Sequence, residues 1–305
     1  MYYFAFITAD YLQKAELALR SFFYYNGAIL NLFVIDSGYD AVCKYYEHSP
    51  LKSKLNVINA YDKEFYDHIF SYNYRHIFLH SNTASLTLSS FRVLDLIPEN
   101  ECIRIDLDAI YLSSLDFFNN YKTSLAGMKE DDTEYDRFNR YQQPNHTATP
   151  IINVGIAKYT KDKFNLKNSF ANEMFKRLDA DWDNYLVPEQ DLYNELASDR
   201  VAISESIVSP CSIDNDANLT DIKAIHYNGL MKPWADNSDI ALDHFPIAAS
   251  YLLCEVFAKK YNYFPDTINK TSSIFRSSLW QRGLSSIQQN YINKLIKLRS
   301  EVSNW

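Results

Sequence analysis

The sequence predicts an α/β protein: a mostly parallel, Rossmann-like sheet flanked by helices, with a C-terminal helical basic appendage. Short apolar runs alternate with segments of helical period along most of the chain. An acidic triplet, Asp106-Leu107-Asp108, stands where the apolar run Cys102-Ile103-Arg104-Ile105 ends. Charge is divided unevenly. From Lys259 onward eight basic residues face two acidic ones, net +6, which leaves −14 for the rest of a chain whose total is −8.

Each element follows from its local pattern. Tyr2 to Ile7 is an apolar run that reads as a strand. A helix follows, with Leu12, Ala15, Leu19, Phe22 and Phe23 on one face and Gly27 as its stop. Leu30 to Ile35 is a second strand, closed by Asp36-Ser37-Gly38, and Val57 to Ala60 a third. Ser85 to Ile97 reads as one helix ended by Pro98. The strand bearing the acidic triplet comes next. Asp131 to Thr149 is polar and aperiodic, a surface loop able to fold over a substrate. Ile151 to Ala157 returns to strand. Asn168 to Leu178 and Glu189 to Ala197 read as helices, and Val201 to Ile203 and Ile222 to His226 as short strands. Ala241 to Lys260 and Ser286 to Leu298 read as helices.

Composition bounds the function. With 47% apolar and 22% charged residues, 305 residues can bury a full core. The negative total argues against nucleic acid as a partner. The cysteines, Cys43, Cys102, Cys211 and Cys254, show no metal spacing and read as reduced thiols, which fits a cytoplasmic location. No stretch supplies the roughly 18 apolar residues a membrane span needs, and the first residues lack a signal-peptide pattern.

In parallel sheets ligands gather at the carboxyl ends of strands, which is where residues 8–11 and 106–108 fall in this reading. Two carboxylates one residue apart there can converge on Mg²⁺ or Mn²⁺, and such an ion takes phosphate oxygens as well. Taken alone, the triplet is ordinary in an acidic chain. Three further segments add weight. Asn153-Val154-Gly155 sits inside an apolar run, either as a strand-edge Asn beside a bulge or as polar ligand contacts with room for close approach. Pro188-Glu189-Gln190-Asp191 opens a helix, as ordinary N-terminal chemistry or with the Gln190 amide oxygen facing a developing positive charge. His226 through Trp234 delivers an imidazole able to hold Mn²⁺, then Gly229, then Lys232, a point charge suited to a diphosphate.

Together these segments resemble glycosyltransferase family 8, over about residues 2–235. Arg104-Ile105-Asp106-Leu107-Asp108 resembles the family's Leu-Asp-x-Asp motif, and Asn153-Val154-Gly155 its Asn-Ala-Gly. Glu189-Gln190-Asp191 is similar to Asp-Gln-Asp. His226 through Trp234 is similar to His-x-x-Gly-x-x-Lys-Pro-Trp. The resemblance implies a GT-A-type nucleotide-diphospho-sugar transferase fold, with a catalytic domain at 1–240 and a helical extension at 241–305. It implies that Asp106, Asp108 and His226 bind Mn²⁺ or Mg²⁺. It implies donor contacts at Thr8, Tyr11, Arg92, Leu107, Asn153, Gly155, Gln190, Gly229 and Lys232, with Tyr11 stacking on uracil. Gln190, Asn153 and Asp191 are the implied catalytic residues. Thr8 stands where the family usually has an acid, Val154 replaces a small alanine, and Glu189 replaces Asp.

The activity this implies is metal-dependent, retaining transfer of a hexose, glucose or galactose, from a UDP-sugar to a glycan. Bacterial surface polysaccharide is the expected product. Attack from the leaving-group face and double displacement through Asp191 or Glu189 both stay open. Alternatives are a nucleotide-sugar-binding protein without transfer, or a transferase acting on a protein acceptor. A nucleotidyltransferase or hydrolase lacks its Gly-rich signature here. The basic, aromatic tail 259–305 reads either as a peripheral membrane foot, on the inner face of the plasma membrane and serving lipid-linked glycans, or as a solvated helical cap.

Overall fold

A computed structural model of the chain describes residues 1–72, 81–130, 150–185, 187–203, 206–208 and 222–227. The expectations for 131–149, for the helices at 241–260 and 286–298, for the extension 241–305 and for Gly229 and Lys232 lie outside these residues. The chain forms two compact units. One holds Met1–Ala9, Ile29–Ile105 and Asp116–Ser204; the other holds Asp10–Ala28, Asp106–Leu115 and the chain from 205 on. Among the described residues no helix is long and apolar enough to cross a membrane.

The first unit is built on seven strands: β1 Tyr2–Ile7, β2 Leu30–Val34, β3 Leu55–Asn59, β4 Glu101–Arg104, β6 Leu125–Lys129, β7 Ile152–Thr160 and β8 Arg200–Ala202. Their order is β3-β2-β1-β4-β7-β6-β8. The pairs β1–β2, β2–β3, β1–β4 and β6–β8 are parallel. Only β7 runs against both its neighbours. The mostly parallel sheet expected from the sequence is therefore present. Strand order reverses at the β1/β4 junction, the place where open α/β sheets bind ligands. Because β1 and β4 are parallel in register Tyr3↔Ile103, the chain leaves both at the same edge of the sheet.

Helices cover this sheet: α2 Tyr39–Glu47, α3 Lys63–Ser71, α4 Ser81–Thr87, α5 Ser89–Leu96, α6 Phe170–Asp181 and α7 Pro188–Leu196. Their starts have local causes. Asp62 accepts the Phe65 N–H at 3.0 Å and Ser169 accepts the Asn172 N–H at 3.2 Å, which satisfies otherwise orphaned donors. The single helix expected over 85–97 is two. Leu88 N–H bonds to Ser85 O and Phe91 N–H to Leu88 O, three residues back in each case, while the Thr87 hydroxyl takes the Ala84 carbonyl. That tightened turn interrupts the ladder. Ile97, preceding Pro98, turns extended and ends α5. The core includes Phe4, Phe33, Phe91, Tyr159 and Tyr193, with Phe91 and Tyr193 stacked at 4.0 Å.

The second unit contains α1 Leu12–Tyr25 and a three-stranded sheet of β5 Ala109–Tyr111, β9 Ile207–Val208 and β10 Ala224–His226, in the order β5-β10-β9. The Ser21 hydroxyl accepts the Tyr111 N–H at 3.1 Å, and Phe22 meets the Tyr111 ring edge-on at 5.6 Å. Asn26 accepts the Leu115 N–H at 3.1 Å. These contacts pin α1 to the segment that carries the acidic triplet.

Candidate functional site

In the second unit β5 and β10 run antiparallel, with His226 opposite Ala109. Tyr227 N–H bonds to the Asp108 carbonyl at 3.0 Å, and the Tyr111 hydroxyl donates to the Asp106 carbonyl at 3.0 Å. This backbone clamp brings residue 226 beside residues 106–108. The imidazole then lies between two carboxylates: His226 Nε2 is 3.1 Å from Asp106 Oδ2 and 3.3 Å from Asp108 Oδ1. One ligand atom from each of the three lies within 4.8 Å of the others. Asp108 and His226 are buried, and Asp106 is partly exposed.

Burial alone would lower the His226 pKa. Hydrogen bonds to Asp106 and Asp108, and their negative charge, outweigh it and push the ring up to about 9. Without a cation, then, a proton serves as counter-ion. The donor set of two carboxylates and one imidazole suits Mn²⁺, and with less preference Mg²⁺. Nδ1 of His226 is buried and meets no hydrogen-bond partner among the described residues, so Nε2 is the nitrogen aimed at both acids. The residues present fit a divalent ion.

Tyr11 belongs to the same unit. Burial raises its hydroxyl pKa well above the ordinary value, and the charges of Asp108, Asp106 and Asp10 add to this. Its ring faces the Lys14 ammonium at 5.3 Å. Leu107 is buried, its N–H held by Asp106 Oδ1 at 2.9 Å. Sequence reasoning thus named Asp106, Leu107, Asp108, His226 and Tyr11, and the structure gathers them in one unit.

The first unit holds the remaining described candidates. Thr8 follows β1 directly. Arg92 on α5 bonds to the Ala60 carbonyl at 3.1 Å and pairs with Asp62 at 3.0 Å. Asn153 and Gly155 lie in a bulge of β7: the β6–β7 register jumps from Gly127↔Ala157 to Met128↔Asn153. Gly127 permits it, since a Cβ there would stand 2.8 Å from Ile152 Cγ2 and 3.0 Å from the Asn153 carbonyl. Within the bulge Asn153 Oδ1 accepts the Gly155 N–H at 3.0 Å, and Asn153 Nδ2 donates to Glu130 at 2.9 Å.

Gln190 and Asp191 occupy the first turn of α7, both buried. The Asp191 carboxylate accepts the Val187 N–H at 3.1 Å. Glu189 pairs with Arg104 on β4 at 2.5 Å, and both are buried. Asn194 donates to the Gln190 carbonyl and to Ile152 O, each at 2.8 Å, which ties α7 to β7.

Sequence reading assigned no role to Arg104, Gly127 or Glu130, and gave Asp36 only a place in the turn that closes the second strand. For Arg104 a signal existed, a lone charge inside the apolar run 102–105, but its partner is 85 residues away.

No protein-family model matches the chain, and no curated protein sequence does. Solved structures match it in fold. The galactosyltransferase LgtC in complex with donor and acceptor sugar analogs aligns over 95% of this chain and 100% of its own, with a TM-score of 0.60 and 12% identity. The apo bifunctional glycosyltransferase WbbM covers 93% of this chain and is covered over 52% of its own, at TM-score 0.55 and 13% identity. The glycosyltransferase GlyE of Streptococcus pneumoniae TIGR4 gives 90% and 63%, TM-score 0.51 and 13% identity. The chain has the GT-A fold of these proteins.

Proposed function

We propose that this GT-A-fold chain is a metal-dependent, retaining glycosyltransferase that moves a glucose or galactose from a UDP-sugar to a glycan, in bacterial surface polysaccharide synthesis. The observation that carries this is the convergence of Asp106, Asp108 and His226, remote in sequence, on one point. The solved complex of LgtC with donor and acceptor sugar analogs supports it through shared fold.

Asp106, Asp108 and neutral His226 would hold Mn²⁺ or Mg²⁺. When bound, the ion neutralises the diphosphate and eases departure of UDP. Tyr11 is assigned to the uracil face. By resemblance Gly229 and Lys232 hold the diphosphate, Thr8, Arg92, Leu107 and Gly155 line the donor, and Asn153 and Gln190 contact its sugar.

Two carboxylates were open as a covalent nucleophile. Glu189 is committed to Arg104, and Asp191 to the Val187 N–H. Those commitments favour attack from the leaving-group face. The bond from the anomeric carbon to the phosphate oxygen breaks as the bond to the acceptor oxygen forms. The acceptor proton leaves on the diphosphate, and the Gln190 amide oxygen faces the positive charge that develops on carbon.

UDP release from a panel of UDP-sugars, in Mn²⁺ and in EDTA, is the test. Release with one or two sugars only in Mn²⁺ is the expected result; no release with any sugar would end the reading. Residues 259–305 are assigned to anionic membrane carrying lipid-linked acceptor, in a cytoplasmic protein. Flotation with anionic liposomes, with and without that segment, tests the assignment, and absence of binding by the full chain removes it.

A further inference from the structure

We propose that Arg104 is a positioning residue: through Glu189 and Tyr159 it fixes the two segments assigned to the donor sugar, the first turn of α7 and the β7 bulge. The inference rests on the glycosyl-transfer reading for what those segments do, and on geometry alone for the coupling between them.

Arg104 sits mid-sheet, where an arginine is costly. Its guanidinium lies 4.4 Å over the Phe6 ring from β1 and meets Glu189 of α7 at 2.5 Å. Its charge, and to a lesser extent hydrogen bonding, act on the Tyr159 hydroxyl of β7 against the burial that raises that hydroxyl's pKa. Tyr159 in turn donates to the Val154 carbonyl at 3.0 Å, in the middle of the bulge between Asn153 and Gly155. One buried network therefore runs from the residue before Gln190 to the residue after Asn153. Arg104 itself stands two positions before Asp106, so the same side chain marks the exit of the strand that leads to the metal ligands.

Stability does not explain such a pair. Two charges taken from water recover little more than their desolvation, and apolar residues of similar volume usually serve as well or better. Geometry does explain it. A planar guanidinium has several donors in fixed directions, so Glu189 and Tyr159 are held at set angles, which an apolar contact would not enforce. Arg104 and Glu189 are buried and spent on each other, so the pair acts through its neighbours. A displacement near 1 Å in residues that orient a reacting group costs about a hundredfold in rate.

The test is the full chain with Arg104→Met and Glu189→Met together, which leaves no charge unpaired. Three quantities are read: thermal midpoint, kcat and KM for the UDP-sugar in Mn²⁺, and amide hydrogen exchange at 152–155 and 188–191. The expected result is a midpoint near that of the parent, KM within a few fold, kcat lowered about 10- to 100-fold, and faster exchange in both segments together. Parental kcat in the folded double variant would overturn the proposal. Should that variant not fold, Arg104→Lys keeps the charge and removes the planar fork; it should lower kcat with little change in midpoint, and parental kcat there overturns the proposal equally. A parent that transfers no sugar defeats the functional reading instead. Exchange still decides the coupling in that case, since unchanged protection at both segments would refute it.

Discussion

In the first unit Arg104 and Glu189 meet with both charges buried and cancelling. In the second, two carboxylates meet one imidazole. With a neutral ring that group carries −2, and even a protonated ring leaves it at −1. Both are polar clusters that join distant parts of the sequence, but their own members sum to different charges. An arginine and a glutamate satisfy each other and need nothing further. Two aspartates and a neutral histidine sum to the charge that a divalent ion offsets. Charge balance, more than burial or distance, separates a structural pair from a ligand site.

The hardest blow to the carboxylate–imidazole cluster should be Asp108→Ala. If the ion contributes several kcal/mol to departure of UDP, removing a ligand lowers turnover about a thousandfold. Mn²⁺ titration and UDP release measure this, with the thermal midpoint in EDTA as a check on folding. Turnover at the parental rate with Mn²⁺ still required would place the ion elsewhere and erase the contrast between the two clusters.

Protons distinguish the clusters next. The His226 pKa in the folded, metal-free chain is about 9, above the ordinary 6.5. Its contribution to stability is therefore fully present below pH 6.5 and is lost as pH rises through 9. Metal affinity should run the opposite way. Binding needs the neutral ring and expels its proton, so Mn²⁺ affinity should rise about tenfold per pH unit up to about 9. Calorimetry at several pH values checks one slope and thermal midpoints in EDTA the other, with His226→Gln flattening both. A pH-independent affinity would mean that the imidazole is not a ligand.

Much of this contrast was legible in the sequence, for a physical reason. Candidate metal ligands announce themselves by residue type: Asp106-Leu107-Asp108 at the end of an apolar run, and His226 at the end of a short strand. Apolar runs gave β1, β2 and β7, and one-sided burial wrote α1 into helical spacing. The polar pair was hidden, since nothing local links Arg104 to Glu189. β6 was missed because Leu125-Ala126-Gly127-Met128-Lys129 has no β-branched residue to mark it as a strand. Asn153 could be read as ligand contact or as a bulge beside glycine. The bulge is there, but the residue that permits it, Gly127, belongs to the neighbouring strand, where no local pattern points to it.

A smaller effect is expected where β1 hands the chain from one unit to the other. Asp36 accepts the Ala9 N–H at 2.9 Å and the Gly38 N–H at 3.0 Å. This clasp sets the exit of β1, two residues before Tyr11. A Cβ on Gly38 would fall 2.3 Å from the Ala9 Cβ, so Gly38→Ala must move the turn. The cost should be about 1–3 kcal/mol of stability. KM for the UDP-sugar should rise several fold with kcat nearly unchanged, because Tyr11, proposed for the nucleotide, follows the clasp in the chain and the residues proposed for the reacting end do not. An unchanged KM would separate the clasp from the donor site.

The smallest effect tests whether distance alone could have carried the comparison. Lys63 and Asp67 on α3 also meet at 2.5 Å, the same separation as Arg104 and Glu189, but their side chains are 72% and 63% exposed. Water solvates both charges and would do so equally if they parted, so Lys63→Ala should leave the thermal midpoint and the activity unchanged within error. Arg104→Met alone, by contrast, strands a carboxylate in the core and should cost about 3–5 kcal/mol. Thermal unfolding of the two single variants side by side measures the difference. Equal losses would mean that Glu189 finds other solvation once Arg104 is gone, and the first unit's cluster would then be no more self-contained than a surface pair.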